Sequence, residues 1–386
     1  MGPGNRIDGH IHFSHPMDPE ELIRIMDRTG TRQANLVLVP SRQRLTSVPE
    51  AMVAKAMYPG RFYVFTSLDV SEHFIHGRTV GKAMAKFVEK MRRLGCDGLK
   101  LIEGKPNFRK MFPLKPFDDP VWDPLWDYAE RTQLPILWHV NDPETCWDPE
   151  KAPKHIRMAG ELYDESFVNN EDQYQEMENL LTKHPRLKLC FAHLFFMSAQ
   201  LPRLAALLDQ FPNMMVDITP GLEIYVNLPK DPEASRAFFE KYQDRIIYGT
   251  DIGSRCVLGP NALDERESLA RVDLIDGLFD PATDRVLEED GAYLINTEPF
   301  RQRGFALSPE AREKIYGGNF RRFVGGGPVP VKPRLLKKEC RRIQTTLKIM
   351  SFMDKGLRPD YSVSKNAAAF FDKKKYIRKE DHYEKA

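Results

Sequence analysis

Eight short apolar runs, each followed by a segment with helical spacing, leave this chain few folds to choose from. The runs are Arg6–Phe13, Ala34–Pro40, Phe62–Asp69, Asp97–Glu103, Leu134–Asn141, Leu187–Leu194, Met214–Gly221 and Arg245–Ile252. Their centres, such as NLVLV, YVFTSL and MMVDIT, are nearly continuous in apolar residues. That pattern suits parallel strands buried on both faces. Between the first two runs, Asp18-Pro19-Glu20-Glu21 offers an N-cap, a first-turn proline and early acids, and Gly30 is a stop. Thr79–Arg93 repeats the design, with Ala83, Phe87, Met91 and Leu94 on one stripe. Pro120–Arg131, Asp172–Lys183, Ala199–Gln210 and Glu233–Tyr242 read as shorter helices. Eight strands alternating with helices over about 250 residues predict an α/β fold, the (β/α)8 TIM barrel. A doubly wound open sheet is the rival, and it usually carries a Gly-rich first turn. Here the first strand ends in His-Ile-His, and the chain has no GxGxxG or Walker sequence.

Two stretches break the rhythm. Asp142–Glu171, rich in Pro, Asp, Lys and Trp, is too long for an ordinary βα loop and is expected to form a lid. Gly253–Ser308 is expected to be an elaborated loop with a helix at Glu265–Leu278. Gly325-Gly326-Gly327-Pro328 then closes the barrel region, so residues 1–327 are assigned to the barrel and 328–386 to a C-terminal extension. The extension is read as a helix, Pro333–Met353, and a polar end, Asp354–Ala386. It carries 16 basic and 7 acidic residues, against 41 and 48 in the rest of the chain. A basic tail on an acidic body suits packing across that body or a partner subunit. It has no zinc finger, RNP-like sequence or regular aromatic interleaving, which argues against nucleic acid. With 41% hydrophobic residues the chain can build a sizeable core. No run approaches the ~20 apolar residues of a membrane span. Five widely spaced cysteines without CxxC, and no secretory leader, point to a reducing cytoplasm.

The chemistry begins at Asp8-Gly9-His10-Ile11-His12. Side chains alternate along a strand, so His10 and His12 face the same way, into the barrel. Ten histidines in 386 residues yield such a triplet by chance in about one chain of four, so alone it decides little. Position decides more. His139 ends the fifth run, His193 the sixth and Asp251 the eighth. In a barrel all strand C-termini converge on one face, where barrel enzymes place their active sites. An ionisable group after an apolar strand is expensive unless it is paired or used. Imidazoles with one carboxylate and an open position form the catalytic zinc pattern, and Mn2+ or Fe2+ suits the same donors. A water on such a metal has its pKa lowered to ~7. Asp251 is placed to ligate and to accept a proton, and His193 to stabilise charge or shuttle a proton. His15 is a rim candidate, while His73, His76, His155, His184 and His382 lie in polar segments and are expected at the surface. Phe108, Phe112, Phe117, Trp122, Trp126, Trp138 and Trp147 are read first as packing residues and second as walls for a ring-bearing substrate.

Taken in order, DGHIHF, GLKL, LPILWHV, FAH, YGTD and IYGGNFRRF resemble the amidohydrolase superfamily, over about residues 6–324. The resemblance is closest to its amidohydrolase-related branch, which includes decarboxylases of aminocarboxymuconate semialdehyde and hydroxybenzoates. It implies one metal held by His10, His12, His139 and Asp251, with His193 as a catalytic group beside it. Binuclear members bridge two metals with a carboxylated fourth-strand lysine. Lys100 has that position, but GLKL and the loop after it look more like the mononuclear branch, where a lysine pairs with an interior acid or a substrate anion. Two reactions share such a site. One is hydrolysis of an amide, ester or lactone by metal-activated water, the first expectation. The other is non-oxidative decarboxylation of an aromatic or muconate-like acid. Decarboxylation needs an anion clamp, for which Arg42, Arg44 and Arg255 are candidates alongside Lys100. A third reading, an inactive scaffold with an interacting tail, is opposed by the full set of site residues. The partners expected are a small-molecule substrate, no membrane and, by the resemblance, a second copy of the chain in a homodimer.

Overall fold

In the computed structural model, the described residues are 5–112, 114–152, 156–157, 162–221, 223–254, 263–288 and 299–372. Eight parallel strands follow one another around a barrel in chain order. They are β1 (Arg6–His12), β2 (Thr31–Val37), β3 (Phe62–Thr66), β4 (Gly98–Gly104), β5 (Pro135–Val140), β6 (Lys188–Phe191), β7 (Met214–Asp217) and β8 (Ile246–Ile247). The seam between β8 and β1 is closed by Gly9 N–H to Tyr248 O (2.8 Å), Asp251 N–H to His10 O (2.9 Å) and His12 N–H to Ile252 O (2.8 Å). The expected barrel is therefore present. β2 starts three residues before the apolar run because Thr31-Arg32-Gln33 is a polar but paired strand end. β8 is two residues long, and the chain beyond it turns early to present Asp251.

The strand period of two explains how the site is positioned. Ile7, Val37, Tyr63, Phe65, Leu137, Cys190, Met215 and Ile247 pack together inside the barrel, closed from below by Phe320 and Phe323. Two residues further along the same strand faces come His139 after Leu137 and Asp217 after Met215. β5 and β7 thus each give an apolar side chain to the plug and a polar one to the open end. The opposite strand faces pack under the helices in a larger core.

Gly98 shows how tight the interior is. A Cβ there would lie 2.5 Å from Phe65 Cε1 and 2.7 Å from Pro135 O. Gly98→Ala is expected to lower stability by about 1–3 kcal/mol through overpacking. The check is a lower urea midpoint with an unchanged slope; an unmoved midpoint would show that the barrel yields at this layer.

The helices expected from spacing form at Pro19–Arg28, Val80–Leu94, Asp123–Thr132, Asn170–Lys183, Leu201–Gln210, Pro232–Lys241, Glu265–Leu278 and Pro333–Met353. Asp18, as foreseen, caps the first by accepting from Glu20 N–H at 2.9 Å. The insertion after β8 also holds a two-stranded antiparallel sheet, β9 (Asp284–Leu287) with β10 (Phe300–Arg303). The insertion after β5 builds a small core of its own from Cys146, Ala152, Ile156 and Tyr163.

The stretch read from the sequence only as a polar end contains a helix, Ser362–Asp372. It packs on Val48–Met57 and on Pro333–Met353. Leu336 and Cys340, and Ala367 and Phe371, join the main core. Glu339, fully buried, meets Lys90 and Arg342, and Arg342 also reaches Asp69 at 2.7 Å. The basic extension therefore lies across the body through specific ion pairs. Among the described residues no helix is long and apolar enough to cross a membrane.

Candidate metal centre

His10, His12 and Asp251 each turn one ligand atom into a cluster in which all three lie within 4.8 Å of one another. His12 Nε2 is 3.3 Å and His10 Nε2 3.6 Å from Asp251 Oδ1. Burial drives His10 down to about 3 and lowers His12 too, so both rings are neutral and offer lone pairs. Burial alone would raise Asp251, but the His12 hydrogen bond and the Arg271 guanidinium hold it low and keep the carboxylate charged. Two neutral imidazoles and one carboxylate at this spacing fit a divalent ion of the zinc, manganese or iron type. Among the described residues, His12 Nδ1 is buried without a hydrogen-bond partner.

The other expected residues are distributed around this cluster. The His193 ring lies 5.8 Å from that of His10 and 5.1 Å from that of His139. His139 borders the cluster through His193, and its Nε2 faces Asp142 Oδ1 at 3.3 Å. Asp142 in turn accepts from Lys105 at 2.9 Å and from the Tyr163 hydroxyl, which ties the edge of the site to the insertion after β5. Lys100, on β4 and 1% exposed, places Nζ 3.1 Å from His10 Nε2. Burial lowers its pKa to about 8, against the pull of Asp217 and Asp251. Arg42 pairs with Asp354, and Arg44 bonds His15 O at 3.0 Å with Asp360 at 3.8 Å, so the extension holds both arginines. Arg255 lies outside the described residues. Of the histidines expected at the surface, His184 is instead buried, with Asp123, Asp127 and Glu130 around its ring; His155 and His382 fall outside the described residues. Trp122, Trp126 and Trp138 are core residues in tilted or edge-on contact: Trp122 and Trp138 with Phe117, and Trp126 with Trp138.

Three residues of the site went unread in the sequence. Asp217 accepts from His10 Nδ1 at 2.8 Å. It could have been found by the criterion that found Asp251, an acid closing an apolar run. Arg271, 1% exposed, comes from the helix after β8, donates to Glu267 at 2.9 Å and reaches Asp251 Oδ2 at 3.5 Å. Glu223 lies beside the site, since a Cβ on Gly221 would be 3.2 Å from both Glu223 Oε2 and His193 Cβ. Burial pushes its carboxyl up to about 8.

The backbone at the open end is held in an uncommon state. Asn141, His193 and Asp251 follow β5, β6 and β8 with positive φ, and His193–Phe196 form a left-handed turn of four non-glycine residues. Such residues cost roughly 1–2 kcal/mol each. Burial of Leu194, Phe195 and Phe196 and the bond from His193 N–H to Asp217 Oδ1 (2.8 Å) offset that strain.

A barrel with a candidate metal cluster of histidines and a carboxylate at the C-terminal ends of its strands has the layout of a barrel enzyme. A family model described as Amidohydrolase matches residues 7–326, and the chain belongs to that family. No curated protein matches the chain. Among solved structures, an uncharacterised TIM-barrel protein from Bordetella bronchiseptica is 14% identical, with a TM-score of 0.52, and the match covers 82% of this chain and 97% of that one. A 2,6-dihydroxybenzoate decarboxylase complexed with 2,6-dihydroxybenzoate is 15% identical, with a TM-score of 0.50, over 83% and 98%. At these identities the likeness is one of fold.

Proposed function

We propose that the chain is a metal-dependent carboxy-lyase that removes CO2 from a small, ring-bearing carboxylic acid. The observation that carries this reading is the buried Lys100 ammonium beside the ligand cluster, 3.1 Å from His10 Nε2. With that nitrogen committed to a metal, the ammonium needs another acceptor, and a substrate carboxylate is one that suits it. The dihydroxybenzoate decarboxylase among the similar folds supports the same choice. Hydrolysis, the first expectation from the sequence, becomes the second reading, favoured by the family's name. It would use Asp251 as the proton acceptor, yet Oδ1 of that residue faces the histidines and Oδ2 faces Arg271.

His10, His12 and Asp251 would hold the ion, with His139 the expected fourth. Bound there, a divalent ion, zinc first for this donor set, would supply Lewis acidity toward a substrate oxygen. Lys100 anchors the carboxylate. His193, anchored through Nδ1, has Nε2 free to carry a proton. Delivered to the ring carbon that bears the carboxylate, that proton forms the new C–H bond. The C–C bond then breaks, its electron pair returns to the ring, and CO2 leaves. Solvent returns the proton to His193. A cytoplasmic setting belongs to the same proposal; Cys96, Cys190 and Cys340 are buried free thiols.

The test loads the purified chain with Zn2+, Mn2+ or Fe2+, counts metal per chain, and follows CO2 release from hydroxybenzoates beside cleavage of lactones, esters and amides. CO2 release with one metal per chain is the expected result. Cleavage of a lactone or amide without CO2 release from any acid would replace this reading with hydrolysis.

A further inference from the structure

The hydrogen bonds around Asp217 and Thr219 constrain two rings at once. A carboxylate can only accept. Asp217 Oδ2 faces His10 Nδ1 at 2.8 Å, so that nitrogen carries the proton. Nε2 of His10 is then the lone pair, in agreement with Lys100 donating to it at 3.1 Å. Asp217 Oδ1 accepts from His193 N–H at 2.8 Å, from Thr219 N–H at 3.1 Å and from the Thr219 hydroxyl at 2.5 Å. With its single proton turned to Asp217, the Thr219 hydroxyl can only accept from His193 Nδ1, at 3.0 Å. The main-chain oxygen of Thr219, 3.2 Å from the same nitrogen, can also only accept. Both contacts place the His193 proton on Nδ1 and leave Nε2 as its lone pair.

We propose that Asp217 and Thr219 form one positioning unit that sets the tautomers of His10 and His193 together and holds the left-handed turn that carries His193. Asp217 acts on both rings, and Thr219 acts on His193 alone. Neither ring has to change tautomer when a metal or a substrate arrives. The inference rests on the cluster being a metal site and stands equally for decarboxylation and hydrolysis.

The experiment uses the full chain with 15N-labelled histidine, metal-free and zinc-loaded, with His10→Gln and His193→Gln to assign the signals. Zinc affinity is read by competition with a chelator, and folding by thermal melting. In the unsubstituted chain both rings are expected as the Nδ1–H tautomer. Asp217→Asn is expected to mix the His10 tautomers and weaken zinc binding about 10–100-fold. Thr219→Val, which leaves only the main-chain oxygen as acceptor for Nδ1, is expected to loosen the His193 tautomer while zinc affinity stays near its starting value. Fixed tautomers and undiminished zinc affinity in Asp217→Asn would overturn the proposal. So would an Nε2–H ring at His10 or His193 in the unsubstituted metal-free chain, a result that does not depend on any variant folding. No readout involves a substrate, so a failure here is distinct from a failure of the proposed reaction.

Discussion

Asp251→Asn is expected to strip the protein of its metal and to lower turnover about 10³-fold or more. Asp251 is the one anionic member of the cluster formed with His10 and His12. Its Oδ1 faces both imidazoles, and an amide oxygen there carries no net charge to hold a dication. Metal chemistry of this kind supplies several kcal/mol of transition-state stabilisation, and each ~1.4 kcal/mol is a tenfold change in rate. Asparagine is the fair replacement because Asp251 sits at φ 58°, a left-handed state that Asn tolerates. The backbone of the turn is therefore kept while the charge is removed. Elemental analysis after dialysis against a weak chelator, with CO2 release on the same sample, checks the expectation. Retention of one metal per chain with activity within about tenfold would remove Asp251 from the ligand set.

Arg271→Met is expected to destabilise the fold by about 3–5 kcal/mol, the usual cost of breaking a buried ion pair from one side. Arg271 is 1% exposed and comes from the interior of Glu265–Leu278. Its guanidinium donates to Glu267 Oε1 at 2.9 and 3.1 Å, to Ser254 Oγ at 3.2 Å and to Thr250 O at 3.3 Å, and it reaches Asp251 Oδ2. Methionine fills the volume but removes the guanidinium that faces the Glu267 carboxylate. Urea unfolding of the metal-free protein separates this from any loss of metal. The double variant Arg271→Met with Glu267→Leu should recover much of the loss, because it removes both charges. A single-variant loss below about 1 kcal/mol would show that water reaches this pair.

How much of this could be read beforehand depends on whether the signal is local. His10 and His12 were legible because one strand carries both, and His139 and Asp251 because each ends an apolar run. Asp217 carried the same mark in MMVDIT, and only its role was missed. Arg271 left no such mark, since an arginine inside an amphipathic helix ordinarily faces water. Arg42 and Arg44 follow the second strand, as an anion clamp would, but their partners Asp354 and Asp360 lie about 300 residues away. No local pattern encodes that pairing. The left-handed turn at His193–Phe196 was equally hidden, because leucine and phenylalanine do not favour that conformation. The helix Ser362–Asp372 was obscured by the polar residues on either side of it, although NAAAFF carries a helical apolar face.

The C-terminal strap has a consequence for biosynthesis. Val48–Met57 and Val80–Leu94 leave the ribosome well before the side chains that cover them, Leu336, Cys340, Ala367 and Phe371, which lie at least 240 residues further along. At ~5–20 residues per second, that apolar surface waits tens of seconds for its cover. The nascent barrel therefore exposes an apolar flank until the strap that covers it has been made.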